Sequence, residues 1–363
     1  MSDMLDFDSI VKNAINEAMR ERGHVNILIA GSSGVGKSTL INAIFQGDLA
    51  TVGQGRPVNQ KTTEITKEGI PLSIFDTRGL ELAEFDNTLK LLEQTVVERS
   101  RKPDPNQHIH VAWVCISEES RRVEDGHERL VKMLTANNIP TIAVITKSRS
   151  DNGFRAVVRE LLPEVVNVIS VRSIREEIRD DDGDDVLVLK PKNLDKLVEL
   201  TMQVVPDSLR RAFVAAQKVD IELKKTKSRM IVLSSAATAG GIGAAPVPFA
   251  DAVAIIPIQV GMLAGISATF GMSVDKAFLN TVLSSIIGGA GGTIAGRTIV
   301  SNLLKMFPGV GSAVGGAIAG TTAAALTTAI GETYIAVLAN LFVKNEGKPP
   351  TNEDLSDALK GKF

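Results

Sequence analysis

The residues with the clearest chemical content are Gly31-Ser-Ser-Gly-Val-Gly-Lys-Ser38, which fit the pattern GxxxxGK[ST] at every fixed position. Spaced glycines let successive backbone N–H groups turn toward phosphate oxygens. The helix that follows adds the partial positive charge of its N-terminus. In such a loop Gly31, Ser33, Gly34, Val35, Gly36, Lys37, Ser38 and Thr39 are the expected nucleotide contacts. Lys37 is expected to hold the β- and γ-phosphates, and Ser38 to ligate Mg²⁺. Downstream, Ile74-Phe-Asp-Thr-Arg-Gly79 reads as an apolar strand ending in Asp-Thr-x-Gly. Asp76 is then the carboxylate for the metal, usually through water, and Gly79 the N–H donor to the γ-phosphate.

These groups need a scaffold that brings strand ends together. Apolar runs predict strands at His24–Ala30, Leu72–Phe75, Val111–Ile116, Thr141–Ile145 and Val165–Val171. Helical spacing predicts helices at Ser38–Phe45 and near 82–99, 124–137, 152–162 and 192–204. Strands alternating with helices imply an α/β fold, a mostly parallel sheet with helices on both faces. Ligands bind such sheets at the carboxyl ends of the strands. A separate helix is expected over 8–22, from Ile10, Val11, Ala14, Ile15, Ala18 and Met19.

With both phosphate motifs on one sheet, residues 24–205 resemble P-loop GTPases of the Era-like and immunity-related type. The resemblance implies GTP or GDP as the bound nucleotide and Mg²⁺ as its cofactor. Lys61-Thr-Thr-Glu-Ile65 lies where the first switch loop of that class falls. Its switch threonine would be Thr63, with Thr62 the alternative, ligating Mg²⁺ only while the γ-phosphate is present. Lys37, Thr63 and Gly79 are then the expected catalytic set. The base-reading pattern of the class is [NT]-K-x-D. Thr146 and Lys147 match, but Arg149 stands where the aspartate belongs, and Asp151 is two residues on. Arg172 and Ser173 fall at the last base-contacting loop. Leu80 replaces the water-orienting glutamine of some members, and Gly34 the potassium-recruiting asparagine of others. The expected activity is slow GTP hydrolysis, sped by assembly or a partner. Arg149 keeps a P-loop ATPase as an alternative.

Charge divides the chain. Residues 1–230 carry 68 charges, whereas residues 231–343 carry six, together with 17 of the 31 glycines. The expected domains are an N-terminal helix over 1–22, a nucleotide domain over 23–205, a linking helix over 206–229, a Gly-rich helical domain over 230–343 and a charged tail over 344–363. Ala252–Gly271, Ala277–Gly296 and Met306–Gly331 are free of charge and long enough to cross a bilayer. Glycines four apart, such as Gly261/Gly265 and Gly288/Gly292/Gly296, would let helix backbones approach. Poverty in Leu and Phe favours instead a soluble bundle. Ala244-Ala-Pro-Val-Pro-Phe-Ala-Asp251 and its surroundings resemble an uncharacterised helical domain fused to bacterial GTPases. The expected partners are therefore a membrane lipid or membrane protein, and a second copy of the chain. The expected location is the cytoplasm, with peripheral or inserted association at the cytoplasmic membrane face. The basic run Lys224, Lys225, Lys227 and Arg229 is a candidate for anionic headgroups. A scaffold with nucleotide as a fixed ligand is a further alternative.

Other classes are excluded or disfavoured. A net charge of −2 and 4% aromatic residues argue against a nucleic-acid partner. The single Cys115 rules out a disulfide framework and reads as a buried strand thiol. The charged first 25 residues show no cleaved signal peptide. His108 and His110 share a strand face without a third ligand, and the acidic stretch 176–185 reads as a solvated loop.

Overall fold

The computed structural model describes residues 7–52, 54–57, 62–77, 85–179, 186–243, 250–286, 320–360 and 362. They divide into two units. One is Gly23–Asp220; the other joins helix α1 (Phe7–Arg22) to the chain from Ile221 onward.

The first unit runs β1 (Val25–Ala30), α2 (Lys37–Ile44), the single turn α3 (Leu49–Val52), β2 (Gln54–Pro57), β3 (Thr62–Thr66), β4 (Leu72–Thr77), α4 (Phe85–Ser100), β5 (Val111–Ser117), α5 (Asp125–Ala136), β6 (Thr141–Thr146), α6 (Phe154–Leu161), β7 (Asn167–Ser170), β8 (Glu176–Arg179), β9 (Val186–Leu189), α7 (Leu194–Val204) and α8 (Arg210–Ala216). Seven strands form one sheet in the order β2-β3-β4-β1-β5-β6-β7. The five strands from β4 to β7 are parallel, and β3 and β2 extend the edge antiparallel. Every residue of β1, β4 and β6 is buried, which is why these segments read as apolar runs rather than alternating ones. One face packs on α4, α5 and α6 through Phe85, Leu92, Leu130, Leu134, Phe154 and Val158. On the other, Trp113 stacks on Phe45 at 5.7 Å and donates its indole N–H to Thr201 of α7 at 3.1 Å. Phe45 in turn meets Phe213 of α8 edge-on. The fold is the mostly parallel α/β sheet expected from the sequence, with helices on both faces.

Two local expectations are corrected. Of the expected switch loop, Thr62–Ile65 belongs to β3, because Thr62, Thr63, Ile65 and Thr66 are β-branched and pair with β4. Glu176–Arg179 is not a solvated loop but pairs with Val186–Leu189 as a hairpin. The apolar Val186-Leu-Val-Leu189 supplies the strand partner for the acidic half.

The second unit is helical: α1, α9 (Ile221–Gly243), α10 (Ala250–Thr269), α11 (Lys276–Ile286), α12 (Gly320–Lys344) and α13 (Asn352–Leu359). The expected boundary near Arg229 falls inside α9, so the change in composition marks a change along one helix, not a break between elements. No single helix spans 206–229: α8 packs with the sheet and α9 begins the helical unit. The segment 1–22 is not separate either. Phe7, Val11, Ala14 and Ala18 form a stripe at helical spacing that joins the core of α10, α11 and α12. The tail 344–363 holds α13, capped by reciprocal bonds between Thr351 and Asp354, with Leu355 and Leu359 in the same core.

Lys224 departs from its expected surface role. It is fully buried, with Nζ 3.3 Å from the carbonyl oxygen of Thr269 and 3.5 Å from that of Phe270, and 5.8 Å from the Phe342 ring centre. A cation at the carboxyl end of α10 complements the helix dipole there, so this lysine is a cap and not a lipid contact. Among the described residues, Ala323–Lys344 is long and apolar enough to cross a membrane, with half of its most apolar window buried within the fold. Of the expected span Ala277–Gly296, α11 covers the first part to Ile286, and the rest lies outside the described residues. So do Gly288, Gly292, Gly296, Gly311, Gly315 and Gly316.

Candidate nucleotide site

The phosphate loop leaves β1 at Gly31, where only glycine fits. A Cβ there would lie 2.6 Å from the carbonyl oxygen of Cys115, and φ is +155°. Gly36 closes the loop in the left-handed conformation at φ 102° and starts α2 without a side-chain cap. The first-turn N–H groups of α2 therefore face the loop, as anion binding requires. Lys37 is buried and folds back over this loop, donating to the carbonyl oxygens of Gly31 at 2.7 Å and Ser32 at 3.2 Å. Its Nζ stands 4.0 Å from Asp76 Oδ1. Cys115, directly beneath, is buried, and burial pushes its thiol up to about 12. It takes no part as a nucleophile.

Asp76 lies near the carboxyl end of β4, opposite Thr63 of β3 in register. Cross-strand partners present their side chains on one face. Thr63 therefore shares a face with Asp76, whereas Thr62 pairs with Thr77 and is buried. Ser38 is exposed on the first turn of α2. Two hydroxyls and a carboxylate are hard oxygen donors, and this donor set fits Mg²⁺ rather than a softer metal. Gly79, with Arg78 and Leu80, lies outside the described residues.

The expected base-reading residues gather at the ends of β6 and β7. A cavity of about 220 Å³ is lined by Gly36, Thr39, Thr146, Lys147 and Ser173, together with Glu119 and Glu176. Thr146 donates its hydroxyl to the Val35 carbonyl at 2.6 Å, so it holds the phosphate loop to the base side of the sheet. Lys147 reaches Glu119 at 2.8 Å. Arg172 also lines the cavity, but its guanidinium is committed elsewhere. It is buried, donating from Nε to Ser148 O at 2.9 Å and from Nη1 to Lys190 O at 2.7 Å. It ties the loop after β6 to the segment before α7. Ser33 and Gly34 are exposed on the phosphate loop beside a second cavity of about 440 Å³.

Sequence reasoning missed Glu118. Its Oε1 accepts the backbone N–H groups of Arg149, Ser150 and Asp151 at 2.8, 2.9 and 3.1 Å. Burial raises this carboxyl, but the Ser148 hydroxyl and the three N–H donors outweigh it and hold it below the ordinary carboxylate range. The one available signal was a glutamate directly after the apolar strand β5. Asp151 accepts the N–H of Arg155, in the first turn of α6, at 3.0 Å, and is not among the residues that line the cavity. His108 and His110 bond to the backbone carbonyls of Lys102 and Pro105.

Comparisons with known proteins match the two parts of the chain separately. Residues 26–147 match the family described as 50S ribosome-binding GTPase, and residues 210–362 match a domain of unknown function. The chain is 27% identical over 232 residues to the tRNA modification GTPase MnmE of Lactobacillus helveticus, covering 61% of this chain and 44% of that protein. It is 29% identical over 130 residues to Magnetosome membrane protein 22 of Magnetospirillum gryphiswaldense, covering 36% and 60%. The chain thus spans about half the length of the curated relatives it matches. Among solved structures, a probable GTP-binding protein engB matches at 18% identity with a TM-score of 0.33, covering 50% of this chain and 98% of that one. Residues 26–147 are a P-loop GTPase domain of the MMR_HSR1 family, and residues 210–362 are a domain of the DUF697 family.

Proposed function

We propose that the protein is a GTP-binding switch that hydrolyses GTP slowly, and that its helical unit engages a membrane or a second copy of the chain. The observation that carries the reading is the grouping of Lys37 with Asp76, 4.0 Å apart, next to Thr63 across the β3–β4 pair. Lys37, released from its loop carbonyls, would neutralise the β- and γ-phosphates. Ser38, Thr63 and Asp76 would hold Mg²⁺, which supplies charge stabilisation for phosphoryl transfer. A threonine on the antiparallel strand β3, next to the metal carboxylate, can report the γ-phosphate by changing the pairing of β3 with β4. What supports engagement by the helical unit is the exposed apolar pair Met230 and Leu233 on α9, beside the apolar length of α12, and the match to a magnetosome membrane protein. Of the basic run, Arg229 is exposed and Lys227 half-buried, and both suit an anionic surface, although Arg229 also pairs with Glu332 at 3.2 Å.

The test is co-sedimentation of the full chain with anionic liposomes, without nucleotide, with GDP and with a non-hydrolysable GTP analogue. Nucleotide affinity is measured in parallel. Lys37→Ala is expected to weaken GTP binding by roughly 10- to 100-fold, the loss of a charge-assisted contact. Ser38→Asn is expected to erase any difference in sedimentation between the GDP and GTP-analogue states. A wild-type chain that binds neither GDP nor GTP at micromolar concentration would overturn the reading.

A further inference from the structure

The base pocket lacks the aspartate that reads guanine in this class, yet it does not lack a carboxylate. Glu176, at the start of β8, lines the same cavity as Thr146, Lys147 and Ser173. It comes from a hairpin, β8–β9, inserted between the last base loop and α7. Its two carboxylate oxygens meet the guanidinium of Arg149 in a fork, one bond from Nε at 3.1 Å and a second from Nη2. Arg149 occupies the motif position of the missing aspartate. The backbone under Arg149 is fixed by Glu118 and that under Ser148 by Arg172, so the fork is set on a rigid base.

We propose that Glu176 is the guanine-reading carboxylate of this protein, supplied from the β8–β9 hairpin and positioned by Arg149. The inference rests on the GTP-binding reading above. Its chemistry is that of the Watson–Crick edge. Guanine presents two adjacent donors, N1–H and the 2-amino group, and one acceptor, O6. A carboxylate with two oxygens accepts from both donors, and a fixed guanidinium next to it can donate a hydrogen bond to O6. Adenine offers a single donor and a single acceptor on that edge and satisfies the pair less fully. The exchange of partners needs little rearrangement, because both side chains of the pair are already partly exposed. In sequence terms, an arginine in place of the aspartate is not a loss of recognition. It moves the carboxylate to a neighbouring loop and uses the arginine to aim it.

The experiment is displacement of a fluorescent GDP analogue from the full chain by GDP, IDP, XDP and ADP, for wild type, Glu176→Ala, Glu176→Gln and Arg149→Ala. Inosine lacks the 2-amino group, so the GDP-to-IDP ratio reads the carboxylate bond directly. Wild type is expected to prefer GDP over IDP by roughly 10- to 100-fold, the worth of a hydrogen bond to a charged group. Glu176→Ala should bring that ratio near one. Glu176→Gln should move preference toward XDP, since an amide can donate to the 2-oxo group while accepting from N1–H. Arg149→Ala should lower the ratio in part, as a positioning residue does. A GDP-to-IDP ratio that survives in both Glu176 variants overturns the proposal and leaves the GTP-binding reading standing. An even loss of all four nucleotides assigns Glu176 a structural role and also overturns it. A wild type that takes ADP as well as GDP overturns the guanine reading itself.

Discussion

The two units of this chain put their hydrogen-bonded buried polar groups to different uses. In the sheet unit, Thr146, Glu118 and Arg172 are buried, and each holds a loop of the nucleotide site by a hydrogen bond to backbone. In the helical unit, some buried groups pair with each other, as Ser267 does with Tyr334 at 2.8 Å and Ser285 with Ser356 at 2.9 Å. Others do not: the Gln259 side-chain amide and the hydroxyls of Ser228 and Thr327 have no partner among the described residues. An unsatisfied buried polar group costs about 1–3 kcal/mol. The sheet unit also keeps buried polar atoms without a partner among the described residues, the Thr77 and Ser170 hydroxyls for example. What differs is that its satisfied groups tie down backbone around the nucleotide site, whereas those of the helical unit join one helix to another. The same contrast runs through the glycines. In the sheet unit Gly31 and Gly36 shape a loop; in the helical unit Gly331 sits in a helix and admits a neighbour's side chains.

The largest effect expected from breaking this contrast is at Gly31. A methyl group there meets a backbone carbonyl at 2.6 Å, which cannot swing away as a side chain would, and the φ of +155° disfavours an L-residue. Gly31→Ala is expected to cost about 3 kcal/mol or more, combining overpacking and backbone strain. It should also abolish nucleotide binding. Urea denaturation alongside GDP titration checks both. Gly331→Ala should cost less, about 1–3 kcal/mol. Its Cβ would lie 2.5 Å from Val232 Cγ2 and 3.1 Å from Met262 Sδ, but these are side chains and can shift. Because the clash lies wholly in the helical unit, GDP affinity should be unchanged while the urea midpoint falls. Equal losses of affinity in both variants would show that packing inside the helical unit shapes the nucleotide site.

A smaller effect separates the units by pH. All four histidines lie in the sheet unit. Burial holds His110 and His127 below the ordinary value of 6.5. His110 is held neutral by geometry as well: the Asn26 N–H donates to its Nδ1 at 2.9 Å, so Nε2 carries the proton toward Pro105 O. Protonation would put a second donor against the Asn26 N–H. For a base whose folded pKa lies below its unfolded one, the unfolded chain binds more protons as pH falls. Stability is therefore full above 6.5 and declines below it. Among the histidine-linked terms, acidification from pH 7.5 to 5.5 should loosen the sheet unit alone. Hydrogen exchange resolved along the chain measures this, and a uniform loss of protection would contradict it.

The legible parts of the molecule were those in which one local pattern fixes one environment. Gly31–Ser38 carried its own geometry, and the apolar runs of β1, β5 and β6 could belong only to buried strands. What stayed hidden depended on partners distant in sequence. The stripe of α1 shows an apolar face but not which unit it covers. The β8–β9 pairing joins an acidic segment to an apolar one, and neither alone alternates clearly. Arg172 was found at the expected loop, yet its role is set by carbonyls of Ser148 and Lys190, which sequence spacing does not reveal. Lys224 was misread for the same reason. A lysine in a basic run looks solvated until the end of another helix is placed over it.

The smallest predicted effect tests how the glycines of the helical unit are read. Gly261 and Gly265 share the four-residue spacing that suggests backbone contact between helices, but they are not equivalent. A Cβ at Gly265 would touch Ile231 at 3.4 Å, an ordinary contact, whereas one at Gly261 meets nothing within 4 Å. Within α10, replacing glycine by alanine gains about 1 kcal/mol of helix propensity when nothing obstructs the methyl. Gly261→Ala should therefore raise the urea midpoint slightly, the reverse of Gly331→Ala. If the variant is instead destabilised in the soluble chain, something covers Gly261 in solution, and the face of α10 that carries it is an interface. If it is stabilised in solution but weakens association with liposomes or with a second copy, the bare glycine serves close packing only in that assembled state. Either result assigns the spacing a place that the helix itself does not require.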